Sequence, residues 1–355
     1  PEAVRSLIRN MKPDILWFMT DPRFYEFLWG IENEIRPLMP MVYYHVWDNY
    51  PYPTFNGKFY ESNDFIANIS KVTHDIVQTV SPTVDSEYVP HAVDKNSFKK
   101  LEEKEIDSLR EKMFGEKLLD NDGEEKMIFF WNNRNARRKQ SGCLIYWFKD
   151  FLDKIGHDKA ILMMHTDPKD PHGQDLESIV QELKLTNGEV LFSINKVDWE
   201  GLSKIYNAAD CTINISDAEG FGLATLESLS CGTPIIVNMT GGLQEQVTDG
   251  ENWFGIGIEP CSKAIIGSQQ VPFIYEDRMH KEDFMDAMER MYKAWSDDSD
   301  EYKEWCEKGI QHVRDNYNFE EFCQKWVEIM TKVHEKHGSW ETRKGYKSWE
   351  LKEVI

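Results

Sequence analysis

Two glutamates flank a short glycine turn in the middle of the sequence. Glu219 is followed by Gly220, Phe221 and Gly222, and Glu227 comes eight residues after Glu219. Glycine lets the backbone turn sharply, and the backbone N–H groups at the start of a following helix attract an anion. The pattern therefore predicts an anion site with one carboxylate at the mouth of the turn and a second about one and a half helical turns further on.

The residues around this turn predict a strand before it and a helix after it. Residues 211–216 alternate apolar and polar side chains, as a strand with one packed face does. Gly232 and Pro234 end the helix, and residues 235–237 predict the next buried parallel strand. The apolar residues at three-residue steps, which predict the buried stripe of the helix, are Leu223, Leu226 and Leu229.

A cluster of four cations follows a second predicted strand at residues 127–131. The cluster comprises Arg134, Arg137, Arg138 and Lys139. A basic cluster at the carboxyl end of a strand, in an acidic chain, is typical of an anion clamp and equally typical of a solvated basic turn. The residues alone leave both interpretations open.

Composition limits the classes of partner. The 355 residues suffice for two domains, and the formal net charge of −21 disfavours binding to nucleic acid, whose phosphates a strongly acidic surface repels. Six scattered cysteines without a CxxC pair favour reduced thiols, and no apolar stretch has membrane-spanning length. Because the start is not a signal peptide, we expect a cytoplasmic protein, and a start at proline predicts that the true N-terminus is missing.

The first part of the chain predicts a small Rossmann-like domain. Strands are expected at residues 14–20, 41–47, 64–69 and 87–89, with a helix over 24–35 and another capped by Ser70. His45 lies at the carboxyl end of its strand, where open α/β sheets bind ligands, although a lone histidine after an apolar strand is more often structural. The aromatic loop over 47–60 predicts either packing on its own sheet or a stacking platform for a sugar.

The remainder predicts a second βα domain and a helical C-terminus. A charged connector over 95–126 is interpreted as a solvated helix face, and strands are expected at 127–131, 160–165, 189–192, 211–216 and 235–237. Glu245 begins a later helix, where it is either a cap or a sugar contact. The predicted domains are residues 1–120, 121–320 and a C-terminal helical segment, 321–355, that packs back toward the first domain.

These motifs resemble those of the GT-B glycosyltransferases of family 4. The spacing of Glu219 and Glu227 is similar to the family's E-x7-E signature, and Arg134 and Lys139 match its phosphate clamp. Residues 206–210 resemble its helix-to-strand approach, residues 89–94 resemble its I-P-N-G-V-D crossover, and His45 falls at its donor-sugar histidine. Residues 132–139 are most similar to the glycosyltransferases encoded by large DNA viruses and phages.

The resemblance implies an α/β GT-B fold, with two Rossmann-like domains facing across a cleft and the first strands of the N-terminal domain missing. Two departures from the family are His91-Ala92, in place of Asn-Gly, and Trp253, where glycine is common. The implied activity is retaining transfer of a hexose from a nucleoside diphosphate sugar to a hydroxyl acceptor by internal return, without a metal or other cofactor. GDP-mannose and UDP-glucose are the expected donors, in that order.

The implied site uses residues from both domains. Glu219 holds donor-sugar hydroxyls, Glu227 binds the ribose diol, and His45 orients the donor sugar. The remaining expected contacts to the nucleotide sugar are the cations Arg134, Arg138 and Lys139, the turn Gly220, Phe221, Gly222 and Leu223, and the base-bordering segment Ser193, Ile194 and Asn195.

Other functions remain open at this point. The main alternative is a nucleotide-sugar-binding scaffold subunit without transfer activity. A GT-B phosphorylase or epimerase has no visible second phosphate site or pyridoxal lysine to support it. The charge of −21 argues against a DNA-modifying transferase.

Overall fold

The computed structural model describes residues 1–346, which divide into two compact units. The first unit comprises residues 1–91, 265–275 and the chain from Glu320 onward, and the second comprises 92–264 and 276–319. Residues 347–355 of the predicted C-terminal segment lie outside the described residues. Within the described part of the chain, no helix combines the length and apolar character needed to cross a bilayer.

The first unit is built on a four-stranded parallel sheet. Its strands pair in chain order, and their carboxyl ends align, with Thr20 opposite His45 and His45 opposite Asn68. The strands are β1 (Leu16–Thr20), β2 (Met41–His45), β3 (Phe65–Asn68) and β4 (Ser86–Tyr88). The helices are α1 (Glu2–Met11), α2 (Glu26–Trp29), α3 (Glu32–Ile35), α4 (Gly57–Glu61) and α5 (Lys71–Val80).

Two local features of the first unit test the sequence patterns. Ser70 caps α5, since its hydroxyl accepts a hydrogen bond from the Thr73 N–H at 3.2 Å, as predicted. The single helix predicted over 24–35 is wrong, because α2 and α3 are separate. Glycine at position 30 is a poor helix former, and Ile31 leaves the helical region with φ −117° and ψ 19°.

The second unit contains a six-stranded parallel sheet covered by helices. Its strands are β5 (Met127–Asn132), β6 (Ala160–His165), β7 (Val190–Ser193), β8 (Cys211–Asn214), β9 (Ile235–Asn238) and β10 (Gly255–Ile258). The helices are α6 (Glu103–Phe114), α7 (Ser141–Ile155), α8 (Leu176–Glu182), α9 (Trp199–Ala208), α10 (Leu223–Ser230), α11 (Gln244–Val247), α12 (Lys281–Ser296) and α13 (Asp300–Asn316). Buried residues on both faces of the sheet, such as Phe129 and Phe130, explain its apolar strands.

The strand order in this sheet is β10-β9-β8-β5-β6-β7. Counted within the unit, this is the order of the Rossmann fold, and the chain changes direction across the sheet between β5 and β8. A two-stranded sheet of β11 (Ser262–Ile266) and β12 (Ile274–Arg278) follows, and the last helix is α14 (Phe319–His337). In the first unit, Trp326 of α14 packs edge-on against Trp17 and Tyr44.

A buried ion pair anchors α6 to the sheet of the second unit. Both guanidinium Nη atoms of Arg110 donate to the Asp210 carboxylate, at 2.9 and 3.1 Å, and the Ile128 N–H donates to Asp210 Oδ2 at 2.7 Å. Arg110 is only 7% exposed. The interpretation of residues 95–126 as a solvated connector is therefore wrong at Arg110, because its side chain is buried and paired. The local sequence does not show this, since Asp210 lies 100 residues away.

Replacing Asp210 with alanine is expected to destabilise the protein by about 3–5 kcal/mol, because it leaves the buried Arg110 guanidinium without its main partner. The midpoint of unfolding in urea, followed by tryptophan fluorescence, measures the effect. Glu289→Ala removes one partner of an exposed pair with Lys154 and serves as the control. Equal shifts in the two variants would contradict an anchoring role for Asp210.

Candidate functional site

The carboxyl ends of β5 and β8 lie beside each other at the point where the strand order reverses. Phe130 pairs with Thr212 in the register of these two strands. The loop after β5 carries the basic cluster, and the loop after β8 carries the glycine turn. Two backbone bonds close the arrangement: the Asp217 N–H donates to the Arg138 carbonyl at 2.8 Å, and the Asp277 N–H donates to the Asp217 carbonyl at 2.9 Å. Open α/β sheets bind ligands at such a switch point.

The glycine turn adopts the backbone conformation that the sequence predicts. Gly222 has φ +94° and precedes α10, so the first N–H groups of α10 have no acceptor within the helix. Leu223, the first residue of α10, is 42% exposed. The turn therefore presents a helix N-terminus at the switch point, which is the feature expected of an anion site.

A second glycine segment, Gly241–Leu243, packs directly against the first. The Gly242 N–H donates to the Glu219 carbonyl at 3.0 Å. A Cβ atom at Gly241, where φ is +51°, would lie 1.8 Å from the Glu219 carbonyl oxygen. Only glycine permits this approach of two backbones, so the position of Glu219 depends on Gly241.

Gln246 joins the turn to α11 from inside the protein. Its side chain is fully buried, and its Nε2 donates to the Phe221 carbonyl at 2.7 Å. The Thr225 hydroxyl lies 2.6 Å from Gln246 Oε1. The sequence prediction missed Gln246, although its place directly after Gly-Gly-Leu-Gln-Glu (residues 241–245), close behind the second glycine pair, was a usable signal.

Lys139 and Glu219 form an ion pair at the mouth of the turn. The Lys139 Nζ donates to Glu219 Oε2, and Arg138 Nη1 lies 3.9 Å from the same oxygen. The side chains of Lys139 and Glu219 are 9% and 12% exposed. Burial opposes ionisation of Glu219, but the nearby Lys139 and Arg138 charges outweigh burial and lower the pKa of Glu219 below its ordinary value.

The other two cations of the cluster pair elsewhere. Arg137 binds the buried Glu276 carboxylate through both Nη atoms, at 2.8 and 2.5 Å. Arg134 binds Asp170 through Nε at 2.7 Å and Nη2 at 3.2 Å. The role of Arg134 in a phosphate clamp stays a prediction.

Glu227 lies in a different environment from Glu219. The Tyr206 hydroxyl donates to Glu227 Oε2 at 2.9 Å, and Asn132 Nδ2 donates to the Tyr206 hydroxyl, also at 2.9 Å. Burial raises the pKa of Glu227 to about 7, and the hydrogen bond from Tyr206 opposes this rise only in part. The sequence prediction assigned Tyr206 only to the approach to β8, since 21 residues separate it from Glu227.

The predicted base-bordering residues follow β7. Ser193 ends this strand, and its hydroxyl lies 2.9 Å from His165 Nδ1. Ile194 is 66% exposed, and Asn195 is also exposed. The segment is therefore open to solvent at Ile194 and Asn195, and the predicted nucleobase contact stays a prediction.

His45 is enclosed within the first unit. Its Nδ1 lies 3.0 Å from Asn68 Oδ1, its Nε2 lies 2.9 Å from the Tyr60 hydroxyl, and its side chain has no exposed surface. Burial lowers the pKa of His45 to about 4, so the ring is neutral at physiological pH. These contacts are those of a structural histidine. The role predicted for His45 in orienting a donor sugar stays a prediction.

Two further predicted features have a clear placement. Glu245 is 7% exposed at the start of α11, and its carbonyl accepts hydrogen bonds from His312 and Tyr317, each at 3.1 Å. Trp47 of the aromatic loop is 3% exposed and packs edge-on against Phe55, whereas Tyr52 is 40% exposed. Over residues 1–346, no group of three or more His, Cys, Asp or Glu side chains is arranged to hold a metal ion.

The combination of two Rossmann-like units identifies the fold class as GT-B, as predicted. The sucrose-phosphate synthase of Thermosynechococcus elongatus has a similar structure, with a TM-score of 0.72 and 17% identity, over 94% of this chain and 77% of that chain. Anabaena HepE, solved in complex with UDP and glucose, has a TM-score of 0.68 and 13% identity, over 93% of this chain and 81% of that chain. At these identities the likeness establishes the fold alone.

Sequence comparison defines the second unit more closely. Residues 119–269 match the family model described as "Glycosyl transferases group 1". The D-inositol 3-phosphate glycosyltransferase of Thermomonospora curvata is 42% identical over 66 residues, which are 18% of this chain and 15% of that protein. The matched segment is thus a small part of that relative's length. The family match and the named relatives support a transferase, the enzyme class that the sequence predicted.

Gly241→Ala is expected to unfold the site locally and to lower overall stability, because the new methyl group would collide with the Glu219 carbonyl. Gly123→Ala is the control, since Gly123 also has a positive φ, +86°, but has nothing within 4 Å of the added Cβ. Gly123→Ala should lower the free energy of unfolding by about 1–2 kcal/mol because of backbone strain. Gly241→Ala should lower it by about 1–3 kcal/mol more, because the added methyl group overpacks the contact. Urea unfolding measures both, and equal losses would contradict the close packing.

The pH dependence of stability provides a separate prediction for Glu227. Its pKa is about 7 in the folded protein and 4.5 as an ordinary glutamate, so between these values the folded state holds more protons than the unfolded state. Stability contributed by the protonated carboxyl is therefore complete below pH 4.5 and is lost as pH rises toward 7. The wild type should lose on the order of 3 kcal/mol of unfolding free energy over this pH range, since one pKa unit corresponds to about 1.4 kcal/mol. The Glu227→Gln variant should not show this loss.

The measurement is the difference in unfolding free energy between wild type and Glu227→Gln at several pH values from 4 to about 8. The exposed Glu116→Gln variant controls for the loss of one negative charge from an acidic surface. A wild-type-like pH profile in Glu227→Gln would show that Glu227 titrates normally.

Proposed function

We propose that this protein is a retaining glycosyltransferase of family 4 that transfers a hexose from a nucleoside diphosphate sugar to a hydroxyl acceptor. The observation that supports this most strongly is the Lys139–Glu219 pair beside the N-terminus of α10 at the switch point of the second sheet. A cation, a carboxylate and a helix N-terminus at one position match the phosphates and sugar hydroxyls of such a donor. Membership of the virus- and phage-encoded subgroup stays a prediction.

The proposed chemistry follows from the charge of the leaving group. Negative charge grows on the diphosphate as the glycosidic bond breaks, and fixed cations and backbone dipoles stabilise that charge. Lys139, Arg138 and the N-terminus of α10 supply these groups from the protein, which is the basis for proposing transfer without a metal ion. The acceptor hydroxyl would enter on the face of the leaving group, and the departing phosphate would take its proton.

The two glutamates have separate proposed tasks. Glu219 remains ionised beside Lys139 and would accept hydrogen bonds from donor-sugar hydroxyls. Glu227 would accept hydrogen bonds from the hydroxyls of the ribose diol, with its Oε1 left open because Tyr206 donates to Oε2. UDP-glucose and GDP-mannose are the proposed donors. UDP and glucose are the ligands of the structurally similar Anabaena protein, which supports the uridine nucleotide.

A thermal-shift screen against UDP-, GDP- and ADP-sugars tests donor binding, because a ligand that binds only the folded state raises the unfolding temperature. A transfer assay with the stabilising donor then distinguishes a transferase from a binding subunit without turnover. No shift with any nucleotide sugar would overturn the proposed function.

Replacement of Lys139 or Glu219 by alanine is expected to lower the transfer rate by roughly a hundredfold or more, because each removes a group aimed at the reacting donor. Initial rates at saturating donor measure the loss, and circular dichroism checks that each variant is folded. Lys149→Ala removes a lysine on α7 that pairs with Asp153 and should leave the rate unchanged. Wild-type turnover in either site variant would overturn the assignment of that residue.

A further inference from the structure

A chain of three polar side chains runs across the interior of the second unit. It begins at Asn132, the last residue of β5, passes through Tyr206 on α9 and ends at Glu227 on α10. Tyr206 is fully buried and packs edge-on against Phe130 at 5.2 Å between ring centroids. This packing fixes the direction of the phenol, and therefore the position of its hydroxyl beside Glu227.

The chemistry of the side chains sets the direction of the hydrogen bonds. The Asn132 amide nitrogen can only donate, so the Tyr206 oxygen accepts from it. The single proton of the tyrosine hydroxyl is then directed to Glu227 Oε2, 2.9 Å away. Within the described chain, this is the hydrogen bond that holds the Glu227 carboxyl, and it engages only one of the two carboxyl oxygens.

We propose that Tyr206 is a positioning residue that holds Glu227 for the ribose diol and couples nucleotide binding to the release of one proton from the Glu227 carboxyl. The proposal rests on the proposed function, because it takes a nucleotide ribose as the ligand of Glu227. A diol donates two hydroxyl protons and is bound best by a carboxylate. Binding should therefore remove any proton that Glu227 carries in the free protein.

Burial and the hydrogen bond from Tyr206 control the protonation of Glu227. Among residues 1–346, the titratable groups that interact with Glu227 are the Tyr206 hydroxyl and the Cys231 thiol after α10. Lys100 lies against Gly232, five residues further along the chain. Burial raises the pKa of the Cys231 thiol to about 12, so it is neutral. On the neighbouring helix α13, Gly309 lies against Leu229 of α10, and Ile310 lies against Gly232 just after α10. No Lys, Arg or His of residues 1–346 forms an ion pair with Glu227.

Glu227 is therefore poised to change charge near neutrality, in contrast to an exposed glutamate. Burial disfavours its charged form and raises its pKa to about 7, and the hydroxyl of Tyr206 partly stabilises the charge. Loss of that hydroxyl should make ionisation harder. Nucleotide binding in a variant without it should require a higher pH than in the wild type.

The experiment measures the binding of UDP-glucose and GDP-mannose by calorimetry from pH 5.5 to about 9, in buffers of different ionisation enthalpy. Their phosphates are diesters that do not titrate in this range. In the wild type, affinity should rise about tenfold per pH unit below the midpoint and then level off, with one proton released per nucleotide at low pH. Tyr206→Phe should shift the midpoint upward and recover most of its affinity at the highest pH.

Two further variants complete the design. Glu227→Gln should bind weakly at every pH without proton release, because its amide does not titrate. Tyr302→Phe removes another buried hydroxyl, which donates to the Asp210 carbonyl at 2.8 Å, and should keep the wild-type pH profile. It controls for the general effect of deleting a buried tyrosine hydroxyl.

The outcomes separate the two proposals. If the wild type binds neither nucleotide sugar at any pH, the proposed function fails, and the role of Tyr206 fails with it. If the wild type binds but Tyr206→Phe keeps its pH midpoint, or loses affinity equally at every pH, only the Tyr206 proposal is overturned. An upward shift of the midpoint in Tyr206→Phe, with no shift in Tyr302→Phe, supports it.

Discussion

The candidate site depends on the close approach of two backbone turns. The Glu219 carbonyl fits against Gly241 at a distance that excludes any side chain, and the neighbouring Gly242 N–H binds the same carbonyl. From the interior, the Gln246 amide holds the carbonyl of Phe221. The turn is therefore fixed from two sides before any ligand arrives, so the direction of the Glu219 side chain costs little to maintain when a ligand binds.

This constraint determines how the charges are arranged. In a chain with a formal charge of −21, carboxylates are available to pair with the cations near the anion site and to hold their side chains in place. Each cation of the basic cluster has such a partner, and Lys139 shares Glu219 with Arg138. A donor sugar that binds Glu219 through its hydroxyls would leave this pair intact. Its diphosphate would then meet cations that are already positioned.

Much of the fold was predictable because strand and helix periodicities are local properties. Alternating or continuous apolar runs identified β2, β3 and β5, and the glycines around Phe221 identified the turn. The break between α2 and α3 was not predictable from apolar spacing, since it depends on the backbone at Gly30 and Ile31. The strand order of the second sheet is likewise set by packing between distant segments, and periodicity within one segment carries no information about it.

The site was predictable to the extent that its groups lie close in sequence. Glu219, Glu227 and the turn belong to one short segment, and Lys139 was found through the density of cations around it. Tyr206 was not recognised as a partner of Glu227, because a single tyrosine on an amphipathic helix is ordinarily core. Tertiary contacts also decide that Arg134 pairs with Asp170 and that His45 is enclosed by Asn68 and Tyr60.

Two glutamates eight residues apart acquire opposite properties from their surroundings. Both are largely buried, and burial alone would raise the pKa of each. Glu219 has two cations at its carboxylate, so its charge is retained, whereas Glu227 has a neutral hydroxyl as its partner, so its charge is easily lost. A ligand that brings hydroxyl groups to both would find one acceptor ready and would create the other by displacing a proton. Sequence spacing identifies the pair, and only the three-dimensional surroundings distinguish its members.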